Sequence, residues 1–202
     1  MREFTSNRET KETKILISLN LDGSGKHNID TGIAFFDHML QQISTHALVD
    51  LEIRCDGDLK VDMHHTVEDV GLALGDCINK ALGDKNGITR FANSYVTFDE
   101  TLTRTAMDLC NRPYFIWNVK TTLDKVGDMD QELFSEFFKS LITEARMNCH
   151  IETLYGDNNH HIIESCFKSF ALSLKKAVTI DPKKKVFQAL KESFEKESHR
   201  AN

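Results

Sequence analysis

At 202 residues with 40% hydrophobic content, the chain is long enough to bury one sizeable core. Its formal net charge of -6 argues against nucleic acid or an anionic membrane as the main partner, because both demand a basic face. With no run of eighteen apolar residues and no apolar stretch after Met1, the sequence predicts a cytoplasmic protein that neither enters nor crosses a membrane. Cys55, Cys77, Cys110, Cys149 and Cys166 form no C-x-x-C pair, and an odd, widely spaced set reads as reduced core thiols.

Taken in chain order, Lys14 to Leu21 alternates as a strand and ends at the turn Asp22-Gly23-Ser24-Gly25. Phe36 to His46 has helical apolar spacing, Val49 to Ile53 alternates again, and Asp56-Gly57-Asp58 turns the chain into an amphipathic helix that opens with His64-His65. The same order then recurs. Tyr95 to Phe98, Arg104 to Leu109 and Tyr114 to Val119 read as strands, Ser135 to Glu144 as a helix, and Asn148 to Glu152 as a strand. After a turn at Gly156-Asp157-Asn158, a last helix opens with His160-His161. Two copies of a β-β-α-β-α unit, residues 1–92 and 93–180, account for this, followed by a polar tail over 181–202. The fold class is α+β, a tandem duplication with helices packed on one face of a mixed or antiparallel sheet in each half, and the two halves forming one compact domain.

Each copy carries H-H-x-x-E: His64-His65 with Glu68, and His160-His161 with Glu164. Residues four apart share a helix face, so His64 pairs with Glu68 and His160 with Glu164, while His65 and His161 project sideways toward a different ion. Aligning Thr45-His46-Ala47 with Thr143-Glu144-Ala145 sets His38 opposite Glu136. The expected sites are His38, His64, Glu68 and His161 for one ion, and Glu136, His160, Glu164 and His65 for the other. His150 on the following strand is the competing ligand for Glu136. Imidazole and carboxylate donors without thiolate suit Mn, Fe or Zn, with carboxylate-rich sites leaning to Mn. A lone histidine is most often a surface or satisfied core residue, and His27, His46, His150 and His199 are each open to that reading.

The chain resembles the imidazoleglycerol-phosphate dehydratase family. The resemblance runs from about Arg8 to Val178, through Arg8-x-Thr10-Lys11-Glu12-Thr13, Thr31 to Leu40, Gly57 to Asp69, Gly87 to Phe91, Asn111-Arg112-Pro113-Tyr114, and Gly156 to Glu164 with Phe167-Lys168. It implies a ribosomal protein S5 domain 2-like duplication and a homo-oligomer of twenty-four subunits with two manganese ions (Mn2+) per subunit at subunit contacts. It also implies the dehydration of D-erythro-imidazole glycerol phosphate to imidazole acetol phosphate in histidine biosynthesis, through an imidazolate clamped between the metals. By resemblance Glu12, reaching in from a neighbouring subunit, works as acid/base, with His65 and Glu164 in the catalytic centre. Arg90, Arg112 and Lys168 are the expected phosphate contacts, and His38 and His46 line the pocket.

Two departures from the family pattern stand out. Members commonly have His where this chain has Glu136, which makes the second site more anionic. Members also carry a C-terminal Ser-x-Lys-Gly phosphate loop, whereas Lys183 to Phe194 reads here as a helix, leaving Lys184, Lys185 or Lys191 to replace the contact. Two rivals to an active lyase therefore stand: a catalytically impaired, metal-assembled paralogue, and a two-metal hydrolase of another small phosphate.

Overall fold

A computed structural model describes residues 2–184. The tail from Lys185 onward, with Lys191 and the helix expected up to Phe194, lies outside the described residues. The first repeat runs β1 (Glu3–Glu9), β2 (Thr13–Asn20), β3 (His27–Asp30), α1 (Ala34–Ala47), β4 (Asp50–Gly57) and α2 (His64–Leu82). The second runs β5 (Phe91–Phe98), β6 (Thr101–Asp108), β7 (Tyr114–Asn118), the small hairpin β8 (Lys125–Val126) and β9 (Met129–Asp130), α3 (Glu132–Ala145), β10 (Asn148–Tyr155) and α4 (Asn159–Val178).

Both repeats build a four-stranded sheet in one order, β1-β2-β4-β3 and β5-β6-β10-β7. In each sheet the third strand of the repeat pairs parallel to its neighbour and the other pairings are antiparallel. Strands β1 and β3 carry too few apolar residues to announce themselves by alternation, since Glu3–Glu9 is an edge strand and His27–Asp30 is only four residues long. They were absent from the sequence expectation for that reason.

Each sheet buries one face. Ile15, Ile17 and Leu19 of β2 point inward while Lys14 and Leu16 face out. The inner face of β6 differs: Thr103 and Thr105 are fully buried, and their hydroxyls lie 2.7 Å from those of Ser165 and Ser169 on α4. Every hydroxyl in this seam has a partner, which is the condition for burying it.

The helices lie between the two sheets and pack across the repeats, α1 on α4 and α2 on α3. Phe137 of α3 anchors this layer. Its ring meets Phe36 of α1 edge-on at 5.2 Å and stacks on Phe167 of α4 at 5.5 Å. The α2–α3 approach depends on two glycines one turn apart. A Cβ on Gly71 would sit 2.7 Å from the Phe137 carbonyl oxygen, and one on Gly75 would sit 2.3 Å from that of Leu141. Gly75→Ala should therefore destabilise the chain by about 1–3 kcal/mol through overpacking, although alanine is the better helix former. A urea unfolding midpoint equal to or above that of the parent would show that α2 and α3 do not meet so closely.

Candidate metal centre and its surroundings

Each histidine pair is fixed in the first turn of its helix by an Asx side chain two residues upstream. Asp62 Oδ1 accepts from the His64 N–H at 2.8 Å, and Asn158 Oδ1 accepts from the His160 N–H at 2.9 Å. These bonds satisfy amides that the helix leaves orphaned, and they set the direction in which the imidazoles leave the backbone.

The ligand atoms of His38, His160 and Glu164 all lie within 4.8 Å of one another, the one such group of His, Cys, Asp or Glu among the described residues. His160 Nε2 is 2.9 Å and His38 Nε2 3.3 Å from Glu164 Oε2. Donors bound to one ion at about 2.1 Å stand roughly 3–4 Å apart, so the trio fits a single divalent cation with little adjustment. The chemistry of the set also fits: two imidazoles and one carboxylate. The thiols are not competitors, since burial pushes Cys55 up to about 11 and Cys77 and Cys166 up to about 12.

This grouping differs from the expected one. His38 stands with His160 and Glu164 rather than with His64, Glu68 and His161, because α1 packs on α4. Helical spacing tells which residues share a face but not which helix that face meets. The pseudo-symmetric pair of helices, α2 and α3, also pack on each other, but His64, Glu68 and Glu136 form no such cluster among the described residues. His64 Nε2 lies 3.6 Å from Glu68 Oε2, and Glu136 is held at 3.0 Å by Lys139. His150 lies on the exposed face of β10, near Tyr114, on the side of the sheet away from the helices.

The second histidines point elsewhere, and each is gripped by carboxylates. His65 Nδ1 is 3.0 Å from Asp58 Oδ2, while its Nε2 faces Glu12 Oε1 at 3.9 Å. His161 Nδ1 is 2.8 Å from Glu100 Oε2, with its ring stacked on Phe98 and its Nε2 facing Asp99 Oδ2 at 4.0 Å. Asp58 raises the His65 pKa, and His161 holds the Glu100 carboxyl far below the usual carboxylate range. A carboxylate on Nδ1 puts the proton there and leaves the Nε2 lone pair free to bind. Asp58 and Glu100 were not singled out from the sequence. Asp58 lies six residues before His64 in the sequence, but Glu100 is sixty residues from His160 and meets His161 only through the fold.

Glu12 lies in the β1–β2 turn, which Asp69 anchors. Asp69 accepts from Thr13 Oγ1 at 2.5 Å and from Arg8 at 2.8 Å, and Thr10 Oγ1 accepts from the Glu12 and Thr13 amides.

The expected phosphate contacts divide along α4. From mid-helix, Lys168 reaches back toward the helix start, where its Nζ bonds Glu164 Oε1 at 2.7 Å and lies 4.2 Å over the Phe98 ring. Burial pushes Glu164 up, but Lys168, His160 and His38 outweigh it and hold the carboxyl below its ordinary value. His46 feels both Lys168 and Glu164, and burial lowers its pKa. At the far end, the Arg90 amide bonds the Ala177 carbonyl, thirteen residues beyond Glu164, roughly 20 Å along the helix. Arg112 is exposed in the β6–β7 loop. Lys184 Nζ bonds the Thr89 carbonyl at 2.7 Å, beside Arg90.

The model of the family described as imidazoleglycerol-phosphate dehydratase matches residues 31–174. The chain belongs to the imidazoleglycerol-phosphate dehydratase family. The dehydratase of Azorhizobium caulinodans is 52% identical over 182 residues, covering 90% of this chain and 92% of that protein. The crystal structure of the Staphylococcus aureus dehydratase superposes with a TM-score of 0.81 at 34% identity, over 89% of this chain and 99% of that one. The Pyrococcus furiosus structure gives 0.77 at 30% identity, over 92% and 98%. Within this dehydratase family the α+β duplication, with its two four-stranded sheets and four helices, is the expected fold. Among the described residues no helix is long and apolar enough to cross a membrane.

Removing the carboxylates behind the second histidines should weaken metal binding without changing the fold. For Asp58→Asn and Glu100→Gln the expected loss is about 10–100-fold in affinity, read by titration calorimetry of the stripped protein with Mn2+. Parent-like affinity in both variants would show that these carboxylates do not orient ligands.

Proposed function

We propose that this chain dehydrates D-erythro-imidazole glycerol phosphate to imidazole acetol phosphate, a step of histidine biosynthesis, in the cytoplasm and as a homo-oligomer of twenty-four subunits. The observation that carries the reading is the trio His38, His160 and Glu164, a three-donor set assembled across the two repeats inside a family of dehydratases. Two manganese ions per subunit are the proposed cofactors. His38, His160 and Glu164 hold one, and His64, Glu68 and Glu136 the other. His65 and His161, whose Nε2 atoms face Glu12 and Asp99 rather than these sets, complete sites on neighbouring subunits.

The proton to be removed sits on carbon beside an imidazole and is barely acidic. Bound metal supplies Lewis-acid stabilisation of negative charge on that ring and a template that orients it. Glu12 moves the proton. Its turn is clamped by Asp69 through Thr13 and Arg8, so the carboxylate is presented from a rigid hairpin rather than a loose loop. Lys168 and His46 close the trio's side of the pocket, while Arg90, Arg112 and Lys184 lie at the opposite end of α4 and serve the phosphate in a pocket shared between subunits.

Glu12→Gln should bind close to two manganese ions per chain, like the parent, while turnover falls about 100-fold or more, followed by the alkali absorbance of the ketone product. A parent chain that holds its metal and yields no product would overturn the reading. If a chelator also dissolved its assembly, it would leave the metal-assembled paralogue. Phosphate released from the same substrate would instead indicate the hydrolase.

A further inference from the structure

Lys85 is 1% exposed, the one lysine or arginine fully buried among the described residues. It lies at φ 59° in the turn after α2, and its Nζ donates to Asn111 Oδ1 at 2.6 Å. Asn111 itself is in the left-handed region at φ 65° and immediately precedes Arg112. The backbone there is held from three sides. Arg146 Nη2 donates to the Asn111 carbonyl at 3.3 Å, Asn148 Nδ2 donates to the Arg112 carbonyl at 2.8 Å, and Pro113 restricts the backbone of Arg112 before it.

The charges around Lys85 do not balance. Those that face it are Arg146, Arg90, Asp108 and the Cys110 thiol. Asp108 is already bound in a fork by Arg90, at 2.6 Å and 3.1 Å. Among the described residues no uncommitted carboxylate faces this buried ammonium, and beside two guanidiniums its burial opposes folding, so an added negative charge would be favoured there. An arriving dianion supplies it.

We propose that Lys85 is a positioning residue for the substrate phosphate: through Asn111 it fixes the loop that carries Arg112, and its charge raises the potential where the phosphate docks. The inference rests on the reading of Arg90 and Arg112 as phosphate contacts. Burial pushes the Lys85 ammonium down to about 8, so its charge is lost as pH rises through that value and anion binding weakens.

The test uses the Mn-loaded enzyme and two readouts, steady-state kinetics and competitive inhibition by sulfate, whose charge is constant from pH 7 to 9. In the parent, the sulfate inhibition constant should rise severalfold across that range. Lys85→Met should raise KM and the sulfate constant about tenfold at pH 7, leave kcat within about twofold, and flatten the pH dependence. Asn111→Gly, which keeps a residue suited to positive φ, should raise KM in the same direction and remains informative if the Lys85 variant fails to fold. Arg112→Ala is run beside them. If it raises KM while neither the Lys85 nor the Asn111 variant does, the positioning role is wrong and the phosphate reading stands. If Arg112→Ala leaves KM unchanged, the phosphate reading fails and the inference falls with it. A parent whose sulfate constant is flat from pH 7 to 9 also overturns it.

Discussion

Glu164 is a carboxylate sunk to 7% side-chain exposure among aromatic rings and aliphatic helix faces. A group buried that far stays ionised only if positive charge or strong donors surround it. Lys168 from one turn along α4 takes Oε1, while His160 from its own helix and His38 from α1 converge on Oε2. The last contact is the consequential one, because α1 belongs to the first repeat and α4 to the second. The electrostatic demand of one carboxylate therefore falls on the packing of the whole helix layer, and the three-donor cluster exists only where the two repeats close on each other. The same closure is read in the core, where Phe137 touches Phe36 from one repeat and Phe167 from the other.

Duplication preserved the frame and let the chemistry of the two copies drift. Both sheets share one strand order, and both second histidines have a carboxylate on Nδ1. The carboxylates come from different places, however: Asp58 from the turn before α2, and Glu100 from the β5–β6 turn, which is the counterpart of the turn that carries Glu12. The inner faces drifted too, since β2 presents isoleucine and leucine to α2 whereas β6 presents threonines to serines on α4. His38 opposite Glu136 is the same kind of drift, an imidazole in one repeat and a carboxylate in the other, and on the proposed reading it would make the two sites electrostatically unequal. A site with two carboxylates attracts a hard dication more strongly and gives up more solvation to form than a site with one.

What was legible in the sequence follows from periodicity. The four helices, six of the strands and the H-H-x-x-E faces come from spacings of 3.6 and 2, and the repeat supplied His38 by alignment. Short or polar edge strands such as Glu3–Glu9 carry no such signal. Neither does the pairing of helices. An apolar stripe on α1 says that it must be covered, and whether α2 or α4 covers it depends on which contacts the glycines at 71 and 75 allow elsewhere. Asp58, Glu100 and Lys85 were invisible for a related reason: one carboxylate in a turn, or one lysine in Gly83-Asp84-Lys85-Asn86-Gly87, reads as a solvated charge until tertiary contacts show what it faces.

The division of the cations argues that one chain is an incomplete enzyme. Lys168 and His46 crowd the trio, while Arg90, Arg112 and Lys184 gather near the end of α4, where the Arg90 amide meets Ala177 about 20 Å along the helix from Glu164. A substrate with an imidazole at one end and a phosphate a few bonds away spans less than 10 Å on ordinary bond lengths. It cannot reach both groups within a chain. Either one set of basic residues is idle, or the trio of one subunit is set beside the basic corner of another. Two further features favour the second case: the imidazoles of His65 and His161 have their Nε2 atoms directed away from their own chain's ligand sets, and Glu12 stands on a clamped hairpin next to His65 rather than next to His38. On the proposed reading, assembly does more than add mass: it would bring the three-donor cluster, the Glu12 carboxylate and the basic corner to within the length of one small molecule.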